Sequence, residues 1–395
     1  MMINKTLGEL CNIVSGGTPS RSKAEFWTDG NIPWIKIGNI KNKYVTKVDE
    51  YITQAGLEGS SAKLLPEGTV LYTIFATLGE VGILTFKAST NQAIAGLTIK
   101  DSSQLDTDYL YYYLKSKKGY VNNIGRGVAQ NNVNMSILKN FEIPLPTIEI
   151  QFQIVKLLDK VADIIITRQQ QLQKLDELVK SRFIELFGDP IANPLGWPVK
   201  RLDDISVLIT NGNTPKGGSD NYVSEGIVFL RSQNVWRNKI DLDDVAYIDA
   251  ATHADMAKSS LHDKDILITK TGRINTENSS LGRAALFRGA DNSANINGHV
   301  YLVRLDRTTV PEYVVAILTG EPYRRYIRKV CVGGIDKRQI NLDQVEDFPI
   351  ILPPIELQEQ FAAFVEQTDK SKFIIQQALD KTQLLFDSLM QNYFG

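Results

Sequence analysis

The sequence is poor in the residues that most often carry chemistry. Its 395 residues include two cysteines, Cys11 and Cys331, and three histidines, His253, His262 and His299. Two cysteines make neither a disulfide framework nor a four-cysteine zinc site, and the histidines are not spaced as a metal pair. No apolar run approaches the roughly 20 residues that a membrane-spanning helix needs. The opening MMINKTLGELCNIV has no basic segment followed by an uninterrupted apolar one, so no secretory leader is expected. A reducing cytoplasm is the expected compartment, and a membrane is not an expected partner. Neither sign of charge is in excess: 44 Lys+Arg face 45 Asp+Glu, a formal net charge of −1. Overall charge therefore gives no reason to expect nucleic acid, although a local basic patch would suffice to bind it.

Catalytic signatures are missing as well. There is no G-x-x-x-x-G-K-[ST] phosphate loop and no G-x-G-x-x-G after a strand. Asn193-Pro194-Leu195 lacks the second proline and aromatic residue of an amino-methyltransferase pocket. Asp263, Asp265 and Lys270 are not spaced as a metal-nuclease cluster, and Lys270–Arg273 reads as a loop. A hydrophobic fraction of 43% is nevertheless that of a globular protein, which excludes disorder.

What the sequence does contain is a repeat. LPTIEIQFQI at 145–154 recurs as LPPIELQEQF at 352–361, an offset of 207. The match runs without a gap to Phe187-Gly188 and Phe394-Gly395, with 14 of 44 positions identical, among them Gln151/Gln358 and Leu172/Leu379. Backwards, the same offset pairs Gly127 with Gly334, Asn134 with Asn341 and Phe141 with Phe348. Weaker likeness joins LGELCNIVSGGTP at 7–19 to LDDISVLITNGNTP at 202–215, and IPWIKIGNI at 32–40 to IVFLRSQNV at 227–235. The order is two divergent globular units, each followed by a more similar segment.

From Thr147 to Phe187 there is no Gly or Pro. Ile154, Leu158, Val161, Ile165, Leu172, Leu175, Val179 and Leu186 alternate at spacings of three and four, broken by Arg168 and Arg182. This is a heptad seam on a helix of about 60 Å. Proline before each copy marks the helix start, and Gly188-Asp189-Pro190 marks the first helix's end. Equal lengths predict an antiparallel coiled-coil pair that fixes the distance between the globular units. Those units read as mixed α/β (α+β). Strand-like runs include Thr69–Ile74, Ala95–Ile99, Val228–Leu230 and Asp265–Thr269, with helices over Thr107–Lys117 and near 311–319. The expected domains are 1–144, 145–188, 189–351 and 352–395, with a pseudo-two-fold internal repeat.

Taken as an ordered set, these segments resemble the specificity subunit of type I restriction–modification systems over essentially the full chain. The stretch SGGTPSRSKAEFW to TNQA at 15–93 also resembles a common class of target-recognition domain. The resemblance implies two target-recognition domains, each reading one half of a bipartite site in double-stranded DNA, and helices that dock two modification and two restriction subunits. It also implies a chain without catalytic activity or cofactor of its own, S-adenosylmethionine, ATP and Mg2+ being expected in the partner subunits. Basic residues interleaved with Asn and Gln, which can read base edges, supply the candidate DNA contacts. They are Lys36, Asn39, Lys41, Lys43, Arg126, Arg231, Gln233, Asn234, Arg237, Lys270, Arg273, Lys337 and Arg338. Two other classes compete with this reading: an unrecognised enzyme, separable by assaying methyl transfer by the chain alone, and a peptide-binding coiled-coil adaptor, separable by salt-dependent DNA retention.

Overall fold

The computed structural model describes residues 3–126, 133–276 and 278–395, the side chains of 124–126 excepted. The chain divides into two compact units, Met1–Gln169 with Gln376–Gly395, and Gln170–Ile375. No helix among the described residues is long and apolar enough to cross a membrane.

In the first unit, β1 (Cys11–Ser15), β2 (Tyr44–Val45), β3 (Val70–Thr73), β4 (Val81–Leu84) and β5 (Ile94–Ile99) form one sheet in the order β1-β5-β3-β4-β2. Every residue of β3 and β4 is buried, which suits their unbroken apolar runs. A flanking sheet joins Ile32–Ile35 to Tyr51–Ile52 and, in parallel, to Ser89–Thr90. Helix α1 (Thr107–Ser116) starts where the Asp106 carboxylate accepts the Tyr109 N–H at 2.9 Å, and it buries Tyr109 to Leu114.

The second unit repeats this plan. Strands β6 (Ser206–Asn211), β7 (Ile266–Thr269), β9 (Ala284–Leu286) and β10 (Val300–Leu305) lie in the order β6-β10-β7-β9, matching β1-β5-β3-β4. Here β8 (Thr271–Arg273) departs from the expected loop. It pairs with β12 (Lys337–Gln339), which in turn pairs with β11 (Val332–Gly333). The partner strand lies far along the chain, so local sequence could not reveal the pairing. Gly272 lets β8 run close against the loop before β9, because a Cβ there would sit 2.2 Å from the Leu281 nitrogen. Helices α2 (Pro311–Thr319) and α3 (Glu321–Val330) complete the unit.

The central helix, Ile148–Phe187, and the terminal helix, Ile355–Phe394, are each 40 residues long. In the first unit, Ile154, Leu158, Val161 and Ile165 share a core with Phe386, Met390 and Phe394. Arg168, a charged break in the seam, donates to the Ala378 carbonyl. In the second unit, Phe183 and Phe187 pack on Phe361, and Lys372 lies 2.7 Å from Asp176. Later positions of one helix meet earlier positions of the other in both units, so the pairing is antiparallel.

Each helix is tied to its domain by the same side chains. Buried Gln151 accepts the Asp106 N–H at 2.9 Å and donates to the carbonyls of Gln104 and Pro146. Buried Gln358 accepts the Val310 N–H at 3.1 Å and donates to the Pro353 carbonyl. Tyr109 donates to the Pro144 carbonyl and Tyr313 to that of Ile351. The Tyr109 ring meets Phe394 at 5.1 Å, and the Tyr313 ring meets Phe187 at 4.8 Å. Each domain is thus held by the start of one long helix and the end of the other.

Candidate nucleic-acid interface

In both units a short loop follows the strand at 32–35 or 227–230 and is closed by an asparagine. The Asn39 side-chain amide oxygen accepts the Lys36 N–H at 2.8 Å, and that of Asn234 accepts the Arg231 N–H at 2.9 Å. Asn39 also donates to Asp49 at 2.9 Å. Asn234 is 2% exposed and donates to the carbonyls of Asp241 and Asp244, so its amide is spent on shaping the loop. Gln233 is exposed and donates to Asp244 at 2.9 Å, while Arg231 lies 3.3 Å from the same carboxylate. Lys36 pairs with Glu50, which Arg21 also contacts, and these two cations hold the Glu50 carboxyl below the ordinary range. Lys41 is exposed. Lys43 turns inward, its ammonium 2.9 Å from Asp108 and 2.5 Å from Asp159 of the central helix. Burial opposes its charge, but the hydrogen bonds to Asp159 and Asp108 outweigh this and raise its pKa. The Arg126 side chain lies outside the described residues.

In the second unit several cations converge on one place. A cleft of about 800 Å³ opens between the hairpin at 235–240, the loop before β9 and helix α3. Five cations line it, Arg237, Lys239, Arg283, Arg324 and Arg328, against the acids Asp241 and Glu321. Arg283 is fixed in place: its guanidinium stacks 3.8 Å from the Trp236 ring and donates to the Ser279 and Asn278 carbonyls. Arg324 is held by Glu321 at 3.1 Å, and four-residue spacing sets Arg328 on the same face of α3. Burial first, and then repulsion from Arg237, lower the pKa of both Arg283 and Arg324. Like charges drawn together in this way favour an anion.

Of the residues selected from sequence, only Arg237 lines this cleft. Arg283, Arg324 and Arg328 lie in separate basic clusters along the chain, and only the folding of α3 beside the β9 loop unites them. A second basic group surrounds β8 and β12. Arg273 stands opposite Lys337 and Gly272 opposite Arg338 in the strand register. Arg273 and Lys337 are exposed, whereas Lys270 is half-buried, its ammonium 5.6 Å from the Tyr301 ring.

Comparison with known proteins accounts for this architecture. The family model of the type I restriction modification DNA specificity domain matches residues 2–177 and again 194–383. The type I restriction enzyme MjaIX specificity subunit of Methanocaldococcus jannaschii is 26% identical over 389 residues, covering 92% of this chain and 85% of that one. The EcoprrI specificity subunit of Escherichia coli is 31% identical over 165 residues, 39% of this chain and 41% of its own. A crystal structure of a type I restriction-modification S subunit from M. genitalium aligns over 100% of this chain and 96% of its own, with a TM-score of 0.58 at 15% identity. A chain from a structural study of assembly and conformational transition of the type I R-M system gives 0.59 at 16% identity, covering 99% and 97%. These two structural likenesses show a shared fold. With both halves matched by the family model, the chain belongs to the type I restriction-modification DNA specificity family and is a specificity subunit rather than a catalytic one.

Proposed function

We propose that the chain reads a bipartite site in double-stranded DNA, one half by the domain at 1–144 and the other by the domain at 189–351. The helical segments 145–188 and 352–395 form the frame. They set the spacer between the half-sites and dock two modification and two restriction subunits in the cytoplasm. S-adenosylmethionine, ATP and Mg2+ belong to those partners. The exposed apolar side chains Phe152 and Ile166 on the central helix, and Phe373, Ile374 and Leu384 on the terminal helix, support a protein-docking role for the frame.

The arginine-lined cleft is the observation that carries the DNA reading. Guanidinium groups held by a ring face, carbonyls and one carboxylate suit phosphodiester oxygens, because little side-chain freedom is lost on binding. Contacts of this kind set register, and on this reading the exposed Gln233, Arg273 and Lys337 and the half-buried Arg338 meet bases or backbone. On this reading Lys43, Asn39 and Asn234 shape the recognition loops. The test is binding of the full chain to duplex DNA over a salt series. Wild type should lose affinity steeply with salt, and the double variant R324A/R328A should reduce the logarithmic salt slope by about two. Salt-independent retention, or an unchanged slope in that variant, would overturn the phosphate role of the cleft.

A further inference from the structure

The hairpin formed by β11 and β12 ends in Gly334-Ile335-Asp336, and Ile335 is 90% exposed. Single exposed apolar side chains are ordinary on protein surfaces. What sets Ile335 apart is its position at the tip of a braced ribbon whose flanks are basic. β12 pairs with β8 on one side and β11 on the other. The Gly334 N–H donates to the Lys337 carbonyl at 3.2 Å, and the Ile274 N–H donates to the Asp336 carbonyl at 3.0 Å. Gly333, at φ +128°, makes the turn possible, since a Cβ there would come within 2.9 Å of the Lys337 carbonyl oxygen. Arg338 donates from Nε to the Gly334 carbonyl at 3.2 Å, and Arg273 lies 3.3 Å from Asp336. The tip is held by its own backbone and by cations, and the core gains nothing from the isoleucine.

Resting on the DNA reading above, we infer that Ile335 is an apolar wedge that enters a base step in the half-site of the second domain, with Arg273, Lys337 and Arg338 gripping the phosphates around it. A two-stranded ribbon fits a DNA groove. Isoleucine is among the side chains able to part stacked bases, and flanking cations repay the cost by contacting a bent backbone. A protein partner is the poorer occupant, because the surfaces on either side of the apolar tip are cationic. The 207-residue offset pairs Ile335 with Val128, another β-branched residue after a glycine, which lies outside the described residues.

The experiment uses the full chain and a duplex carrying its recognition site, identified by mapping modified adenines in the host genome. 2-Aminopurine is placed in turn at each purine of the second half-site, and its fluorescence reports unstacking. Wild type should brighten the probe at one step. I335A should abolish that signal and weaken cognate binding about tenfold, the scale of one lost base-pair contact. I335L should restore most of both, and the melting temperature should be unchanged because the residue is 90% exposed. If wild type binds with a steep salt dependence but I335A matches it in signal and affinity, the wedge fails while the DNA reading stands. If wild type does not retain the duplex at low salt, both fail. Loss of modification-subunit binding by I335A with DNA affinity intact would assign the tip to a protein contact and overturn the wedge.

Discussion

In the first domain, α1 is latched to the central helix by Lys43, which bridges Asp108 and Asp159. In the second domain the matching acids are Glu312 and Glu366, and no single cation bridges them among the described ion pairs. Lys264 lies 3.2 Å and Arg288 2.7 Å from Glu312, whereas Glu366 pairs with Lys370 of its own helix at 2.8 Å and feels Arg288 and Lys264 only through space. The acidic positions on the helices are kept, and the basic residues on the variable side are not. By contrast, the frame bonds of Gln151/Gln358 and Tyr109/Tyr313 are duplicated almost atom for atom. A frame that fixes only helix-side groups can accept different recognition surfaces, provided each brings some cation to the same place.

The strongest way to break the comparison is to exchange a whole domain. Replacing 1–144 with the corresponding part of another family member should replace one half-site completely and leave the other unchanged, read by modified-base mapping. A change in both halves would show that the domains are not independent. Next in size is the spacer. Inserting four residues at Gln169–Gln171 and four at the matching Gln376-Gln377 lengthens both helices by about 6 Å. At about 3.4 Å per base pair the spacer should grow by one or two base pairs while both half-sites are retained. The heptad phase also shifts, so some loss of stability accompanies it. An unchanged spacer with retained activity would remove the helices as ruler.

Smaller effects probe the frame itself. Q151A leaves the Asp106 N–H and two carbonyls without their partner in a buried site, and should destabilise the first unit by about 2–3 kcal/mol in chemical denaturation. Q358A should do the same in the second unit, by somewhat less because fewer bonds are lost. An effect confined to one variant would mean that the duplicated bonds are not equivalent.

The latches give the smallest signals, and these have opposite pH dependence. The Glu312 carboxyl is desolvated, yet the hydrogen bond from its own backbone N–H, and then those from Arg288 and Lys264, lower its pKa below 4.5 overall. A depressed folded pKa contributes stability that is present above the unfolded value and lost as pH falls through the folded one. E312Q should therefore cost about 1 kcal/mol near neutrality, with the gap closing as pH falls below the ordinary carboxylate value of 4.5. Lys43 has a raised folded pKa, so its contribution is complete below the unfolded value of about 10.5 and is lost as pH rises through the folded one. K43M should match that cost at neutral pH and close its gap only in alkali. Denaturation midpoints across pH 3–11 separate the two.

The sequence alone determined the repeat, the two long helices and their ends, and the strand-rich character of the units between them. These depend on local signals: heptad spacing, the prolines before each helix, Gly188 after the first, and short apolar runs between turn residues. It also marked Gln151/Gln358 as identical without giving the reason, which is that each fills a buried hydrogen-bonding niche at the entry to a helix. The tertiary structure decided the rest. Lys43 and Asn234 look like surface contacts in sequence, but one turns toward Asp159 and the other closes a buried loop. Arg283, Arg324 and Arg328 gain their meaning only when α3 folds beside the β9 loop and brings separate charges into one cleft. Thr271–Arg273 becomes a strand because Lys337–Gln339 arrives to pair with it. Periodicity and turn chemistry are written in neighbouring residues, whereas charge convergence and strand partnership depend on segments brought together by the fold, and no local pattern encodes them.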